Sequence, residues 1–336
     1  MNVFKLIALV VFPGLLTTVL IALYFKNRPY RPADVLKVFS LDPDHGLAKQ
    51  ALFWWSICTP AVYFIVFGLI SWNDYRISIS PEGFKNFITI STLPIALLSL
   101  SIPLGVVVAR FHSTEQTARQ IIIIRHKNNL DAFYSHRKEF FAYFDKIGSV
   151  NFLDTLELGY KINPRLHGLL FKGSPENGTP ELDTALISQV IGKINLIRNC
   201  LNKVILNSDP EQTFTWYTIA SREIYWISIT FGIVEINNKL NNISVTLVGH
   251  NAEGNIIRQR SIGTTTTQAI CAYRCVKSYL LTILHFAGNQ TAIDEVYEND
   301  IEYIDKTGAY MHVHLNGPVI EQSFSGGLGT PWKVGN

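Results

Sequence analysis

The sequence predicts a polytopic α-helical membrane protein with three transmembrane helices, followed by a juxtamembrane stalk helix and a cytoplasmic α+β domain. Charged residues make up only 16% of the 336 residues, against about 25% in an average soluble domain. Three long stretches before residue 110 carry no charge at all. Beyond residue 110 charges return, and helical and strand periodicities alternate, as they do in a folded domain.

The three uncharged stretches are each long enough to cross a bilayer. They cover 20, 24 and 24 residues, and a transmembrane helix needs about 20. Within residues 1–110, the predicted membrane region, we therefore expect spans at about 5–25, 51–72 and 87–109.

Two of these spans have an alternative interpretation. The first stretch resembles a signal peptide, although it is longer than a typical signal-peptide core and lacks a small-x-small cleavage site. Pro94 and Pro103 interrupt the third stretch, so a buried or re-entrant helix is the alternative there, and the chain then has two spans. Prolines are tolerated in membrane helices where neighbours satisfy the freed backbone groups, so we expect three spans.

Basic residues in the short loops predict the orientation. The loop from Lys26 to Lys49 carries five Lys or Arg residues, whereas the next loop carries only Arg76 and Lys85. Cytoplasmic loops are the ones enriched in Lys and Arg. Three spans place the first loop and the C-terminal region on the same side, so both are predicted to be cytoplasmic.

A fourth apolar stretch, 214–234, is predicted to be a soluble core helix. Arg222 and Glu223 lie at its centre, where each charge costs about 2.5–3.5 kcal/mol on an insertion scale. A functional intramembrane pair is the alternative.

The segment 111–147 is predicted to form the juxtamembrane coupling helix. Proline and glycine are absent between Arg110 and Ile147, and Ser113 with Gln116 has the spacing of a capping box. An apolar stripe that includes one arginine recurs at helical spacing: Leu130, Phe133, Arg137, Phe140 and Phe144. A passive stalk and a helix that transmits motion to the third span both fit this periodicity, so both interpretations stay open.

The same segment resembles a known class of membrane protein. The order of apolar helices, then "RFHSTEQTARQI", then "KNNLDAFYSHRKEFFAYF", resembles the transmembrane effectors of bacterial anti-phage retron systems. In such a system a reverse transcriptase and its non-coding RNA accompany a membrane protein. The residues that carry the resemblance are Arg110, His112, Glu115, Gln116, Thr117, Gln120, Asn128, Asp131, Phe133, Tyr134, His136, Arg137 and Phe140.

The resemblance implies an antiviral protein of the bacterial inner membrane that permeabilises or depolarises the membrane when infection is sensed, in an abortive-infection response. It implies the lipid bilayer, further copies of the chain, and the retron reverse transcriptase with its RNA/DNA hybrid as partners. It also implies a coupling role for the residues that carry it. Members of the class are usually described with two spans rather than three.

Residues 148–336 are predicted to form the cytoplasmic α+β domain. We expect a helix from Thr179–Pro180 to Leu206, a hairpin around the "HNAEG" turn, a helix over Thr264–Phe286 and a short strand in "GAYMHVHLNG". The net charge of this part is −3, whereas residues 1–109 and 110–147 each carry +3. A surface that binds nucleic acid is normally basic, so direct nucleic-acid binding is not expected. The basic segments instead suit anionic lipid headgroups.

No enzyme, cofactor or metal site is predicted. Phosphate-binding, metalloprotease and nucleophile-elbow motifs are absent. Cys271 and Cys275 are spaced to share a helix face, but structural zinc needs four ligands, so we interpret them as core residues. Besides the permeabilising effector, a membrane-tethered sensor or scaffold without pore activity remains the alternative function. An enzyme with an unrecognised site is a third possibility.

Overall fold

The computed structural model describes residues 3–25, 32–206, 210–250, 254–313, 319–325 and 333–334. These residues are mainly helical, with a few short strands. The chain divides into two compact units, Met1–Lys127 and Asn128–Asn336, called here the N-terminal and the C-terminal unit.

Four helices and the first part of a fifth form the N-terminal unit. Trp55 Nε1 donates to Thr18 Oγ1 over 2.9 Å, and the Tyr63 hydroxyl donates to the Val10 carbonyl over 2.5 Å, so the first two helices are joined by polar contacts. Short 3-10 segments lie at Pro32–Phe39 and Leu47–Lys49. The helices are α1 (Val3–Tyr24), α2 (Ala51–Trp72), α3 (Pro81–Ile90), α4 (Thr92–Ser99) and α5 (Ser101–Asp145).

Three helical stretches are long and apolar enough to cross a membrane: Val3–Tyr24, Ala51–Trp72 and Thr92–Asp145. Their number agrees with the three predicted spans, and the first two agree closely in position. The third predicted span, 87–109, is not one continuous helix, because α3 ends at Ile90, α4 ends at Ser99 and α5 begins at Ser101.

Both helix ends in this third stretch lie four residues before a proline. Ile90 precedes Pro94 by four residues, and Ser99 precedes Pro103 by the same number. A proline ring clashes with the carbonyl four residues earlier and lacks the N–H that would bond to it. The prolines therefore account for the breaks in the helix.

The helix α5 is continuous through the segment that resembles the retron effectors. Ser113 lies within it, and its carbonyl accepts a bond from the Thr117 hydroxyl one turn later (2.9 Å). The capping-box interpretation of Ser113 and Gln116 is therefore wrong, because no helix begins there.

The C-terminal unit is a helical assembly around one large apolar core. Two of its long helices pack along each other, and the last turns of α5 add Phe140 and Phe144 to the same core. Its further helices are α6 (Leu166–Leu170), α7 (Thr184–Leu206), α8 (Pro210–Thr230), α9 (Val234–Ile243), α10 (Thr266–Ala287), α11 (Gln290–Glu298), α12 (Glu302–Asp305) and α13 (Val319–Ser325).

Three small antiparallel sheets lie at the edges of this helical core. The predicted hairpin is confirmed, with Val248 opposite Arg258. The strands are β1 (Val150–Phe152) with β2 (Leu156–Leu158), β3 (Phe171–Lys172) with β4 (Glu181–Leu182), and a sheet in the order β6 (Ile256–Arg260), β5 (Thr246–His250), β7 (Lys333–Val334).

Two other predictions for the unit are also confirmed. The helix expected at Thr264–Phe286 is α10, whose Thr265 and Gln268 form a complete capping box. The stretch 214–234 falls largely within α8, a helix with buried apolar residues, and it is not among the span-length apolar helices.

One predicted helix start and one predicted strand are wrong. The helix expected from Thr179–Pro180 to Leu206 is α7, which ends at Leu206 as expected but begins only at Thr184, because Pro180 leads into β4 and the Asp183 carboxylate accepts a bond from the Leu186 N–H (3.3 Å). The described part of "GAYMHVHLNG" contains a 3-10 turn at Ala309–Met311 and no strand. Residues 314–317 of that segment lie outside the described residues.

Candidate functional site

The C-terminal half of α5 buries one face in the core of the C-terminal unit. Phe140 and Phe144 are fully buried, and they lie one helical turn apart. Side chains spaced by three or four residues share one side of a helix, so this end of the predicted stripe is buried, whereas Arg137 of the same stripe is exposed. Near the other end of this segment, the Asn129 side-chain amide donates to the Glu176 carbonyl over 2.5 Å.

Six rings surround the point where α5 packs, and we call them the docking cluster. The ring of His136 lies 4.7 Å from that of Phe171 and 5.1 Å from that of Phe286 between centroids, in edge-to-face geometry. Such aromatic pairs contribute about 0.5–1.5 kcal/mol each beyond their buried area. The docking cluster consists of Phe133, His136 and Phe140 from α5, His167 from α6, Phe171 from β3 and Phe286 from α10.

A hydrogen-bonded histidine pair lies at the centre of the docking cluster. His136 Nδ1 and His167 Nε2 are 3.0 Å apart, so one ring donates and the other accepts. Burial first, and then the positive charges of His136 and Arg137, lower the pKa of His167 to about 4. Burial also lowers the pKa of His136. Both rings therefore favour the neutral form at pH 7, and a neutral ring supplies the acceptor nitrogen that this hydrogen bond requires.

The predicted coupling residues in the C-terminal unit divide into two groups. Phe133, His136 and Phe140 belong to the docking cluster, and Arg137 Nη2 donates to the Pro164 carbonyl over 3.4 Å. Asn128, Asp131 and Tyr134 are exposed. The structure therefore brings the first group together at one contact and leaves the second group on the surface of α5.

The remaining coupling residues lie in the N-terminal unit and do not form one cluster. Gln116 Nε2 lies 3.4 Å from the Pro43 carbonyl, and His112 is buried, with no hydrogen-bond partner for either ring nitrogen among the described residues. The others are exposed: Arg110, Glu115, Thr117 and Gln120.

A buried ion network is the main feature that sequence reasoning missed. Arg198 on α7 contacts Asp300 Oδ1 at 3.0 Å and Asp305 Oδ2 at 3.1 Å, and Lys277 on α10 contacts Oδ1 of the same two aspartates at 2.5 and 2.6 Å. The Tyr273 hydroxyl donates to Asp305 Oδ1 at 2.6 Å. Two positive and two negative charges therefore neutralise one another.

This network holds three segments of the unit together. Burial acts to raise the pKa of Asp305, but hydrogen bonds from Lys277 and Tyr273 outweigh it and lower that pKa. Burial also raises the pKa of the Tyr273 hydroxyl well above its usual value. The Asp305 carboxylate is thus charged and the phenol is neutral at pH 7. This charge-balanced network ties α7, α10 and the α11–α12 turn together, and Asp300 Oδ2 is left without a hydrogen-bond partner among the described residues.

One signal in the sequence points to this network. Arg198 continues the apolar stripe of α7, one turn after Ile194 and one turn before Leu201. A charge at a core position of an amphipathic helix is seldom buried without a partner. Its carboxylate partners lie 102 and 107 positions later in the chain, so the sequence does not identify them.

The cysteine pair on α10 is part of the core. Cys271 and Cys275 are buried free thiols, and Cys271 Sγ donates to the Phe152 carbonyl over 3.2 Å. Burial raises the pKa of Cys271 to about 11, so this sulfur is a protonated thiol at neutral pH, whereas metals bind the thiolate. Among the residues that the structure describes, no group of three His, Cys, Asp or Glu side chains is placed to hold a metal ion.

Comparison of the chain with protein-family models, with curated proteins and with solved structures finds no match in any of the three. The resemblance to retron effectors therefore rests on the residues of α5 alone and stays a prediction.

Proposed function

We propose that this protein is a membrane effector of a bacterial antiviral system of the retron type, which permeabilises the inner membrane when infection is sensed. One observation carries the proposal. The helix α5 is part of a stretch long and apolar enough to cross a membrane, and the same helix ends with Phe140 and Phe144 fully buried in the C-terminal unit. In this proposal, a displacement of the C-terminal half of α5 therefore also moves its N-terminal half.

In this proposal the docking cluster holds α5 in its resting position. The neutral pair of His136 and His167 and the bond from Arg137 to Pro164 add polar contacts to an apolar interface. Polar contacts of this kind fix the register of packed helices at a modest cost in stability. A signal that breaks them frees α5 to shift or rotate, and the spans follow.

Permeabilisation by this route requires several copies of the chain, because three spans are too few to enclose a water-filled channel. The large apolar side chains exposed on α1, α2 and α4, such as Ile7, Ile65 and Leu93, offer surfaces to lipid or to another copy. The reverse transcriptase with its RNA/DNA hybrid is proposed as the functional partner that controls activation.

The experiment that tests the proposal measures membrane potential with a voltage-sensitive dye in cells that express the full chain. Replacing His136→Ala and Arg137→Ala together is expected to change the rate of depolarisation at least fivefold, because two polar contacts of the docked helix are lost. The matched control is Ser135→Ala with Lys138→Ala, two exposed residues on the same helix, which should leave the rate unchanged.

Membrane fractionation shows whether each variant inserts equally. Absence of depolarisation by the wild-type chain, with or without phage challenge and its neighbouring genes, would reject the permeabilising role. It would favour the tethered sensor or scaffold, for which the spans are exchangeable for unrelated ones.

A further inference from the structure

The C-terminal unit contains a cavity of about 500 Å³ that the proposed function does not use. One wall is the segment 161–164, and the other is the α9 face that carries Glu235, Asn238, Lys239 and Asn242. Pockets for small molecules typically measure about 300–1,000 Å³, so the cavity has the size of a ligand site.

The described lining carries two lysines and one glutamate, a net charge of +1. Within the described ranges, neither Lys161 nor Lys239 has a carboxylate oxygen within 4.0 Å of its ammonium group. Glu235 is the one acidic residue of the lining. Its two oxygens instead accept the backbone N–H groups of Gly159 (2.9 Å) and Lys161 (3.1 Å). The glutamate thus shapes the wall, and both ammonium groups are left for an anion.

The rest of the described lining consists of three asparagines and the apolar residues Ile162, Pro164 and Val234, without an aromatic ring. Asn163 uses its side-chain oxygen to accept the Arg165 N–H (2.9 Å), which leaves its NH₂ group available. Amides both donate and accept hydrogen bonds and so match hydroxyl groups, whereas a nucleotide base binds best by stacking on an aromatic face. We propose that this cavity binds a small phosphorylated sugar, with the phosphate between Lys161 and Lys239 and the hydroxyl groups against the asparagines.

The cavity wall is connected to the docking cluster by a few residues. Pro164 ends the 161–164 wall, and its carbonyl is the acceptor of Arg137 on α5. Three residues later His167 forms the pair with His136. A ligand that repositions this wall would change both contacts, so the cavity is placed to regulate the docking of α5. This regulatory part rests on the proposed function, whereas the binding itself does not.

Isothermal titration calorimetry of the full chain in detergent micelles tests the binding. Ribose 5-phosphate should bind saturably at one site, and ribose at the same concentrations should not bind. The double replacement Lys161→Gln with Lys239→Gln should weaken the binding at least tenfold. The control Lys138→Gln with Lys146→Gln, which removes two exposed lysines elsewhere in the unit, should leave it unchanged.

Two results would overturn the site: no saturable binding of ribose 5-phosphate or of inorganic phosphate, or equal binding by the double variant. Equal affinity for inorganic phosphate and ribose 5-phosphate would overturn the sugar part. A thermal melt of each variant shows whether it is folded.

Dye release from vesicles that contain the full chain tests the regulation separately. Ribose 5-phosphate should change the release rate at least threefold for the wild-type chain and leave it unchanged for the Lys161→Gln, Lys239→Gln variant. A rate of dye release that a bound ligand does not change would overturn the regulatory part. If the wild-type chain releases no dye under any condition while calorimetry shows binding, then the proposed function fails and the ligand site stands.

Discussion

The helices of the two units differ in where their large apolar side chains lie. Large apolar residues of α1 and α2 face outward, as Phe12 (65% exposed) and Leu69 (64% exposed) do, whereas Val190 and Ile194 of α7 are fully buried. Burial from water drives both arrangements. The exposed apolar surface of α1 and α2 suits lipid, since both helices have about the 20 apolar residues that cross a bilayer.

The two units also differ in how their buried polar groups are satisfied. In α1 the hydroxyls of Thr17 and Thr18 donate to carbonyls of their own helix, at 2.7 and 2.8 Å. In the C-terminal unit, buried charges such as Arg198 and Asp305 are neutralised by ion pairs with distant residues. Uncharged groups that bond within their own helix suit a hydrocarbon surrounding, whereas buried charges require partners that the tertiary fold brings to them.

The largest expected effect is the loss of one charge from the ion network. Arg198→Ala removes one of the two buried cations from Asp300 and Asp305, which then share Lys277, and should lower the free energy of unfolding of the C-terminal unit by about 3–5 kcal/mol. Urea denaturation of the full chain in detergent, followed by tryptophan fluorescence, measures it. Lys306→Ala is the control, because this exposed lysine lies 3.9 Å from Asp300 and its loss should cost about 0.5 kcal/mol or less. A loss below 1 kcal/mol for Arg198→Ala would mean that the network contributes little.

A second prediction compares one substitution in the two units. Ile65 on α2 and Ile229 on α8 are both more than half exposed, the first toward lipid and the second toward water according to our interpretation. Ile65→Arg should raise the free energy of membrane insertion by about 3–4 kcal/mol, whereas Ile229→Arg should change neither insertion nor folding by more than about 0.5 kcal/mol.

Insertion of the two variants is measured by a glycosylation assay in microsomes. Equal tolerance of arginine at both positions would mean that α2 faces water, and the comparison of the two units would then fail.

The smallest of the three effects is a pH dependence of stability from His167. Its pKa is about 4 in the folded chain and about 6.5 in the unfolded chain. The unfolded state binds its proton first as the pH falls, so the contribution is fully present above about pH 6.5 and is lost toward pH 4. We expect a loss of about 1–3 kcal/mol across this window.

Unfolding titrations between pH 4 and pH 7 measure this loss. His167→Gln should flatten the profile, whereas His126→Gln, at an exposed position on α5, should not change it. A profile that His167→Gln leaves as steep as that of the wild type would show that other groups cause the pH dependence.

Several elements were predictable because a local pattern specifies them. The spans α1 and α2 follow from charge-free length, α10 follows from its capping box and helical periodicity, and the hairpin follows from alternation around a turn. The breaks in the third stretch also have a local cause in Pro94 and Pro103. The contacts made at a break are tertiary, however: Trp72 Nε1 donates to the Ser91 hydroxyl over 2.8 Å.

The sequence by itself therefore determined where apolar helices form, how many are long enough to span a membrane, and which stripe of α5 is apolar, because these properties depend on neighbours within one or two turns. Only the tertiary structure decided what that stripe contacts, which partners neutralise Arg198, and that Lys161 and Lys239 line one cavity. These residues are separated by tens of positions in the chain, and free energies of pairing and burial arise only between groups that the fold has already brought together.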